Sequence, residues 1–329
     1  MAKTPSRQDT ATLSSPFVFA VFALALIAFA IFYLFFYRNW RRQRELQQPF
    51  PKAWRKLLRA QMPLYQKLPP PLKKQLEEYI QLFLSEKAFY GCAGFHVDER
   101  VKITIAGHAC LLILARPYAS YDDVRSILVY PDVYRVQTAQ SDGIVVSVGD
   151  QVRAGEASNR GQVVLAWSEC EEGAMNPDGP HNVILHEFAH QLDYLDGTAD
   201  GAPPLSGEQA QVWQQTMTKA YENLRSSLRH HQKSWLDPYG ATEPAEFFAV
   251  LTEAFFQQPK HLKAEQPDVY EALRGFYRLD PYGATEPAEF FAVLTEAFFQ
   301  QPKHLKAEQP DVYNALCGFY RLDPMDFKR

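Results

Sequence analysis

NVILHEFAHQLDYLDG, residues 182–197, embeds the pattern HEFAH in a mostly apolar run. The run reads as a helix, with Gly197 placed to stop it. Residues four apart on a helix lie one above the other, so the imidazoles of His186 and His190 can reach one metal ion. Glu187 is offset by one position, which sets its carboxylate beside that ion, within reach of a metal-bound water. Zinc lowers the pKa of such a water to about 7. A neighbouring carboxylate then takes its proton as it attacks a carbonyl, and can pass that proton to the leaving amine. Two histidines and a glutamate are costly to bury without a partner. That favours a metal over the other reading, a pair of surface histidines on an amphipathic helix.

A catalytic zinc commonly has three protein ligands and one open position. The extended pattern HExxHxxGxxH would supply a third histidine, but Asp193 and Asp196 stand where its glycine and last histidine would fall. A carboxylate on a second helix is another source. In ATEPAEFFAVLTEAFF, residues 241–256, Pro244 fits a first helical turn, and Glu246, Val250 and Glu253 then share a face. Glu246 follows His190 by 56 residues, room for one intervening helix and a turn. It is the candidate third ligand of a His2Glu site. Taken alone, a glutamate favoured by the macrodipole at a helix N-terminus is the alternative.

Other residues extend this site. Asp193, three residues past His190, either orients a zinc-bound imidazole or makes a helix-surface contact. Tyr239, in DPYGATEPAE, either donates to the oxyanion of a tetrahedral intermediate or packs as a plain aromatic. GQVVLAW, 161–167, can serve as an edge strand for an extended peptide. His96, His108, His181, His230, His231, His261 and His304 have no partner spacing and are expected to be structural or exposed.

The carboxylate stretch recurs at 284–299. Residues 236–278 and 279–321 match at 41 of 43 positions, differing only at Glu271 against Asn314 and Arg274 against Cys317. A solenoid needs at least three units, so two near-identical ones read as a recent tandem duplication or an artefact of sequence assembly.

Further out, 71–88 reads as a helix, 101–115 as a buried helix and 205–231 as an amphipathic one. SILVYP (126–131), GIVVSVGD (143–150) and GQVVLAW are short, β-branched and bounded by turn residues, so they read as strands. The fold class is therefore α+β. A net charge of −4 gives no general pull towards nucleic acid, and no nucleic-acid-reading motif stands out, so no direct nucleic-acid partner is expected. Cys92, Cys110, Cys170 and Cys317 lie far apart without CxxC spacing, and read as buried or incidental thiols.

The N-terminus holds 22 uncharged residues, PFVFAVFALALIAFAIFYLFFY at 16–37, enough to span a bilayer. Arg38, Arg41, Arg42 and Arg44 follow at once, so the positive-inside rule places the rest of the chain in the cytoplasm. The expected localisation is the bacterial inner membrane, single-pass; a cleaved signal for an exported enzyme is the competing reading. The expected organisation is a tail at 1–15, a transmembrane helix at 16–37 and a basic juxtamembrane linker at 38–60. A peptidase domain at 61–278 follows, and 279–329 is the duplicate plus a C-terminal tail. The linker, with Trp40 and Trp54, either faces anionic headgroups or is plainly solvated.

YGCAGFHVDERVKITIAGHACLLIL, GQVVLAWSEC, GPHNVILHEFAHQLDYLDG, YGATEPAEFFAVLTEAFF and the closing FYRLDP occur in that order. Together they resemble the Mlc titration factor A family, zinc-dependent peptidases of bacteria. The resemblance implies a zincin-like, gluzincin-type domain with aminopeptidase-like activity on small peptides. It implies that His186, His190 and Glu246 bind Zn2+, that Glu187 is the general base and that Tyr239 assists. It also implies an Mlc-like transcriptional repressor as partner, beside a peptide or protein substrate. The membrane anchor and the duplicated tail depart from the family pattern. FYRLDP is reached at 276–281, and use of the second copy would loop out 43 residues, so zinc is assigned to Glu246 rather than Glu289. Tyr282 and Glu289 could substitute by a swap, within the chain or between two chains. The competing function is a regulatory binding protein that sequesters a transcription factor.

Overall fold

Proline opens many of the helices in the computed structural model, which describes residues 15–114, 116–132, 161–205, 207–277, 294–295, 298–299 and 302–326. Pro63, Pro70, Pro244, Pro259, Pro267, Pro302 and Pro310 each stand at a first helical position. There the missing N–H is not needed and the fixed φ suits the first turn.

The chain divides into two compact units, 1–49 and 50–329. The first holds α1 (Ser15–Leu46), which includes one stretch, from Ala20 to Leu46, long and apolar enough to cross a membrane. A signal sequence meets the same criterion. Its rings stack at i,i+4 spacing, Phe29 on Tyr33 and Phe32 on Phe36. The helix does not stop at Tyr37 but runs on through Arg38, Arg41, Arg42 and Arg44.

The second unit starts at Phe50, earlier than the expected boundary at 61. The segment expected as a linker through residue 60 includes α2 (Lys52–Gln61), which buries Leu58 and packs on α5 (Glu99–Leu112). Two of its residues, Trp54 and Arg55, bond to the fold. Arg55 makes a two-pronged ion pair with Glu77 at 2.7 and 2.6 Å, and Trp54 donates to Glu99 at 3.2 Å. Between α2 and α5 lie α3 (Pro63–Lys67), α4 (Pro70–Glu86) and β1 (Ala88–Gly91).

After α5 come β2 (Ser126–Tyr130), β3 (Gln162–Ala166), α6 (Trp167–Met175) and α7 (Val183–Asp193). The three strands pair in parallel in the order β1-β2-β3, with Phe89 opposite Ile127 and Ile127 opposite Val163. Ile127, Val129, Val163 and Leu165 join the main core; Val164 and Ala166 face the other way, with Leu128 and Tyr130. The sequence reading missed β1, whose four residues follow an apolar helix with no turn signal between them. It also missed α6, which starts directly at the end of a strand. The strand expected at 143–150 lies outside the described residues.

The chain continues through α8 (Glu208–Arg229), α9 (Pro244–Gln257), α10 (Pro259–Glu265) and α11 (Pro267–Tyr277). Then come α12 (Pro302–Glu308) and α13 (Pro310–Tyr320). Helix α9 is buried on all sides and packs along α7, while α8 packs on α11. The core between them is aromatic: Phe188 meets Phe83 and Tyr121, and Trp213 meets Phe248 and Phe276. The four cysteines are free thiols. His108 is buried, with Nδ1 2.9 Å from Thr104 O, and burial lowers its pKa to about 4, so it stays neutral as a structural group.

Candidate metal centre

Two helices make the site. Asn182 caps α7, its side chain accepting from Leu185 N at 3.2 Å. One face of α7 buries Ile184, Leu185, Phe188 and Leu192 in the core. That anchoring leaves His186 and His190 half-buried on the side towards α9, with ring centroids 5.0 Å apart. Glu246 stands in the first turn of α9 and is 2% exposed.

The three groups converge. His186 Nε2 lies 2.8 Å from Glu246 Oε2, and His190 Nε2 lies 3.4 Å from Glu246 Oε1. One ligand atom from each of His186, His190 and Glu246 falls within 4.8 Å of the others. Donors at about 2.0–2.1 Å around a tetrahedral zinc stand roughly 3.3 Å apart, so the set is of the right size. It is also of the right chemistry, two imidazoles and a carboxylate.

The other nitrogen of His186 sharpens the fit. Its Nδ1 lies 2.7 Å from Glu253 Oε1, and Glu253 Oε2 accepts from Asn182 N at 2.5 Å. A carboxylate on Nδ1 fixes the tautomer and aims the Nε2 lone pair at the metal position. Glu253 thus occupies the position beside an imidazole that one of the two readings of Asp193 had given to that residue. Sequence spacing had placed Glu253 on the face of Glu246 without giving it a role. A helix whose every face is buried offers no amphipathic contrast by which to notice one more carboxylate.

Asp193 instead holds a loop. It is fully buried, and its Oδ2 accepts from Gly201 N at 2.9 Å. Gly201 has φ +76°, and a Cβ there would fall 2.3 Å from Pro244 O. Asp193 thus steadies the loop that presses on the first turn of α9, the turn that carries Glu246. Burial pushes its carboxyl up to about 7, opposed by the Gly201 hydrogen bond.

Glu187 is 6% exposed, between the two histidines on α7. Tyr239 lies on a 3-10 turn, Pro238–Ala241, with its ring centroid 6.1 Å from that of His186. Asp237 caps that turn, accepting from Tyr239 N at 2.8 Å, and its other oxygen lies 3.3 Å from His181 Nδ1. His181 was expected to be structural or exposed. It is exposed, but it also stands at the rim of the site, 4.0 Å from Glu253 Oε2. Neither His181 nor Asp237 has a sequence spacing that signals this meeting, because each lies just ahead of a different helix. Glu289 and Tyr282 of the second copy lie outside the described residues.

The chain matches the family described as glucose-regulated metallo-peptidase M90 over residues 37–278 and again over 279–321. It is 41% identical over 244 residues to an uncharacterized protein of Synechocystis sp., covering 73% of this chain and 89% of that one. It is 32% identical over 246 residues to a protein of Edwardsiella ictaluri named Mlc titration factor A, covering 73% and 91% respectively. A protein of the same name from Pectobacterium atrosepticum is 31% identical over 221 residues, 66% of this chain and 83% of its own length.

Proposed function

Because the chain belongs to the M90 family of glucose-regulated metallopeptidases, we propose that it is a zinc-dependent peptidase in which His186, His190 and Glu246 hold the metal. The observation that carries this reading is the convergence of those three groups, with Glu253 locking the far nitrogen of His186. The proposed fold is zincin-like, with the HEFAH helix behind a sheet whose described end strand is β3.

Zinc, when bound, supplies a Lewis acid and brings the pKa of a coordinated water towards 7. Glu253 keeps His186 in one tautomer, so that Nε2 stays a donor to the metal. Glu187 takes the proton of the attacking water and returns it to the leaving amine. The Tyr239 hydroxyl donates to the oxyanion, on a turn that Asp237 holds in place. Strand β3 pairs with an extended peptide, and an aminopeptidase-like preference follows from the resemblance. The long α1 anchors the enzyme as a single-pass protein of the inner membrane, and its basic end sets the catalytic unit in the cytoplasm.

A second reading rests on the name of two relatives, Mlc titration factor A. In that reading the chain sequesters an Mlc-like transcriptional repressor, and hydrolysis is incidental. Glu187→Gln separates the two. In the full chain it should retain zinc and lose hydrolysis of fluorogenic aminoacyl and peptide substrates by about 10²- to 10⁴-fold, while repressor capture, if present, persists. Hydrolysis at the parental rate in this variant would remove Glu187 from the mechanism, and no hydrolysis by the zinc-loaded parent would remove the peptidase reading.

A further inference from the structure

The 31 residues from 46 to 76 contain seven Lys and Arg and no Asp or Glu. The fold accounts for some of that charge. Arg55 is held by Glu77, Lys73 Nζ donates to Gln66 O at 2.8 Å, and Lys74 lies 3.9 Å from Glu78. Helix α2 keeps most of the remainder. Its Lys52, Lys56 and Arg59 stand at i, i+4 and i+7, so they share one face. All three are exposed, and the other exposed residues of the helix are Ala53 and Ala60. None of the three makes an ion pair among the described residues. Arg59 adds only its field to Glu77, which Arg55 already neutralises.

The opposite side of α2 decides how this face can act. Leu58 is 1% exposed, and Trp54 and Leu57 pack against the main core. A helix lying in a bilayer sinks such apolar groups into the acyl boundary. Here the core already holds them, so the outer face acts through charge alone.

Connection to α1 selects the anion. Helix α1 ends at Leu46 and α2 begins at Lys52, so the five residues 47–51 join them, a tether of no more than about 20 Å even when extended. Pro49 and Pro51 stiffen it, and Phe50 between them packs against the core with its ring centroid 5.7 Å from that of Trp54. Three cations on one face, with no acid beside them and a bilayer-spanning helix five residues away, fit a surface of anionic headgroups. We propose that Lys52, Lys56 and Arg59 dock the catalytic unit on anionic lipid of the bilayer that α1 enters, an inference that rests on the anchor reading of α1.

The test places the full chain in nanodiscs of phosphatidylcholine, alone or mixed with phosphatidylglycerol, and follows acetylation of each lysine by peptide mass spectrometry. At low salt, Lys52 and Lys56 should react about tenfold more slowly in the anionic discs, while the exposed Lys219 on α8 reacts alike in both. Salt at about 1 M, where the Debye length is about 3 Å, should remove the difference. Arg59→Glu leaves both reporter lysines in place and should cut the slowing to about twofold or less. Equal reactivity of Lys52 and Lys56 in the two kinds of disc, slowing shared by Lys219, slowing that persists in salt, or slowing unchanged by Arg59→Glu would each overturn the proposal. Alkaline carbonate extraction from liposomes reads the anchor separately. A chain that is extracted would remove the anchor reading and the docking with it, whereas a chain that resists extraction yet shows equal lysine reactivity would remove the docking alone.

Discussion

The two copies of the repeat have nearly the same sequence and opposite surroundings. Where both are described, they fold alike internally. Thr252 and Tyr277 share a hydrogen bond of 2.7 Å, and so do Thr295 and Tyr320. Phe255 lies 5.3 Å from Tyr270, and Phe298 lies 5.3 Å from Tyr313. Externally they diverge. Phe276 is 1% exposed, packed on Trp213 at 5.4 Å, with the Arg116 guanidinium 3.8 Å from its ring centroid. Its counterpart Phe319 is 66% exposed. Phe256 is 1% exposed, and its counterpart Phe299 is 44% exposed. The second copy keeps a small core of its own, around Phe298, Tyr313 and Leu316, apart from the main one. Local sequence thus suffices for the helices and their mutual packing. The described metal-sized cluster, by contrast, joins α9 to α7. In the first copy two histidines meet the glutamate of this helix.

The sharpest way to break this comparison is to truncate matching side chains. Phe276→Ala should destabilise the protein by about 3–5 kcal/mol, and Phe319→Ala by no more than about 0.5 kcal/mol. Chemical denaturation of both variants checks this; equal losses would mean that the second copy is also packed on the body of the enzyme.

Next comes Glu253, the carboxylate two turns beyond the proposed ligand Glu246. Glu253→Gln should weaken zinc binding by about 10- to 100-fold, and its counterpart Glu296→Gln should leave it unchanged. Competition against a chelator of known affinity reads the difference. A Glu253 variant that binds zinc as tightly as the parent would reduce this residue to packing.

A smaller effect concerns Asp193, whose charge acts on Tyr277 of the first copy. Its carboxyl is raised from 3.8 to about 7 in the folded state, chiefly by burial. The folded state therefore holds the proton more tightly than the unfolded chain does. Stability from this group is complete below pH 3.8 and falls by at most about 1.4 kcal/mol per pH unit as pH rises to about 7. Asp193→Asn should flatten that slope, gaining on the parent at pH 8 relative to pH 5. Parallel stability profiles for the two proteins would show that Asp193 ionises normally.

The smallest effect is expected from deleting whole copies. Removal of 236–278 and removal of 279–321 leave chains that differ only at the Glu271/Asn314 and Arg274/Cys317 positions. In the first copy Glu271 and Arg274 pair with each other at 2.7 Å on the surface. The two deletions should therefore match in thermal stability within about 1 kcal/mol, and each should bind zinc. A deletion of 236–278 that failed to fold would show that the copies are not interchangeable.

What the sequence disclosed and what it withheld follow one physical line. His186 and His190 were legible as a pair because helical spacing fixes their relative position without tertiary knowledge, whereas Glu246 was open on spacing alone and singled out by the resemblance; the structure brings the three ligand atoms within 4.8 Å. The strands at 126–131 and 161–167 were legible from β-branched runs between turn residues. Glu253, His181 and Asp237 were not assigned to the site, since their roles arise from the packing of α7 on α9 and from the turns ahead of each helix. Asp193 was read either as the orienter of a zinc-bound imidazole or as a helix-surface contact, and the structure gives it a loop instead. The backbone N–H of Gly201 claims it, and no helical periodicity reports on a loop. Helix α2 was hidden because its arginine and tryptophan look like membrane-facing groups until Glu77 and Glu99 are seen opposite them.

The most direct measurement compares Glu246→Gln with Glu289→Gln in the full chain, reading bound zinc and peptide hydrolysis together. With the first copy as the working one, Glu246→Gln should lose most of both and Glu289→Gln should lose neither. Loss confined to Glu289→Gln would contradict the assignment and put the second copy against α7.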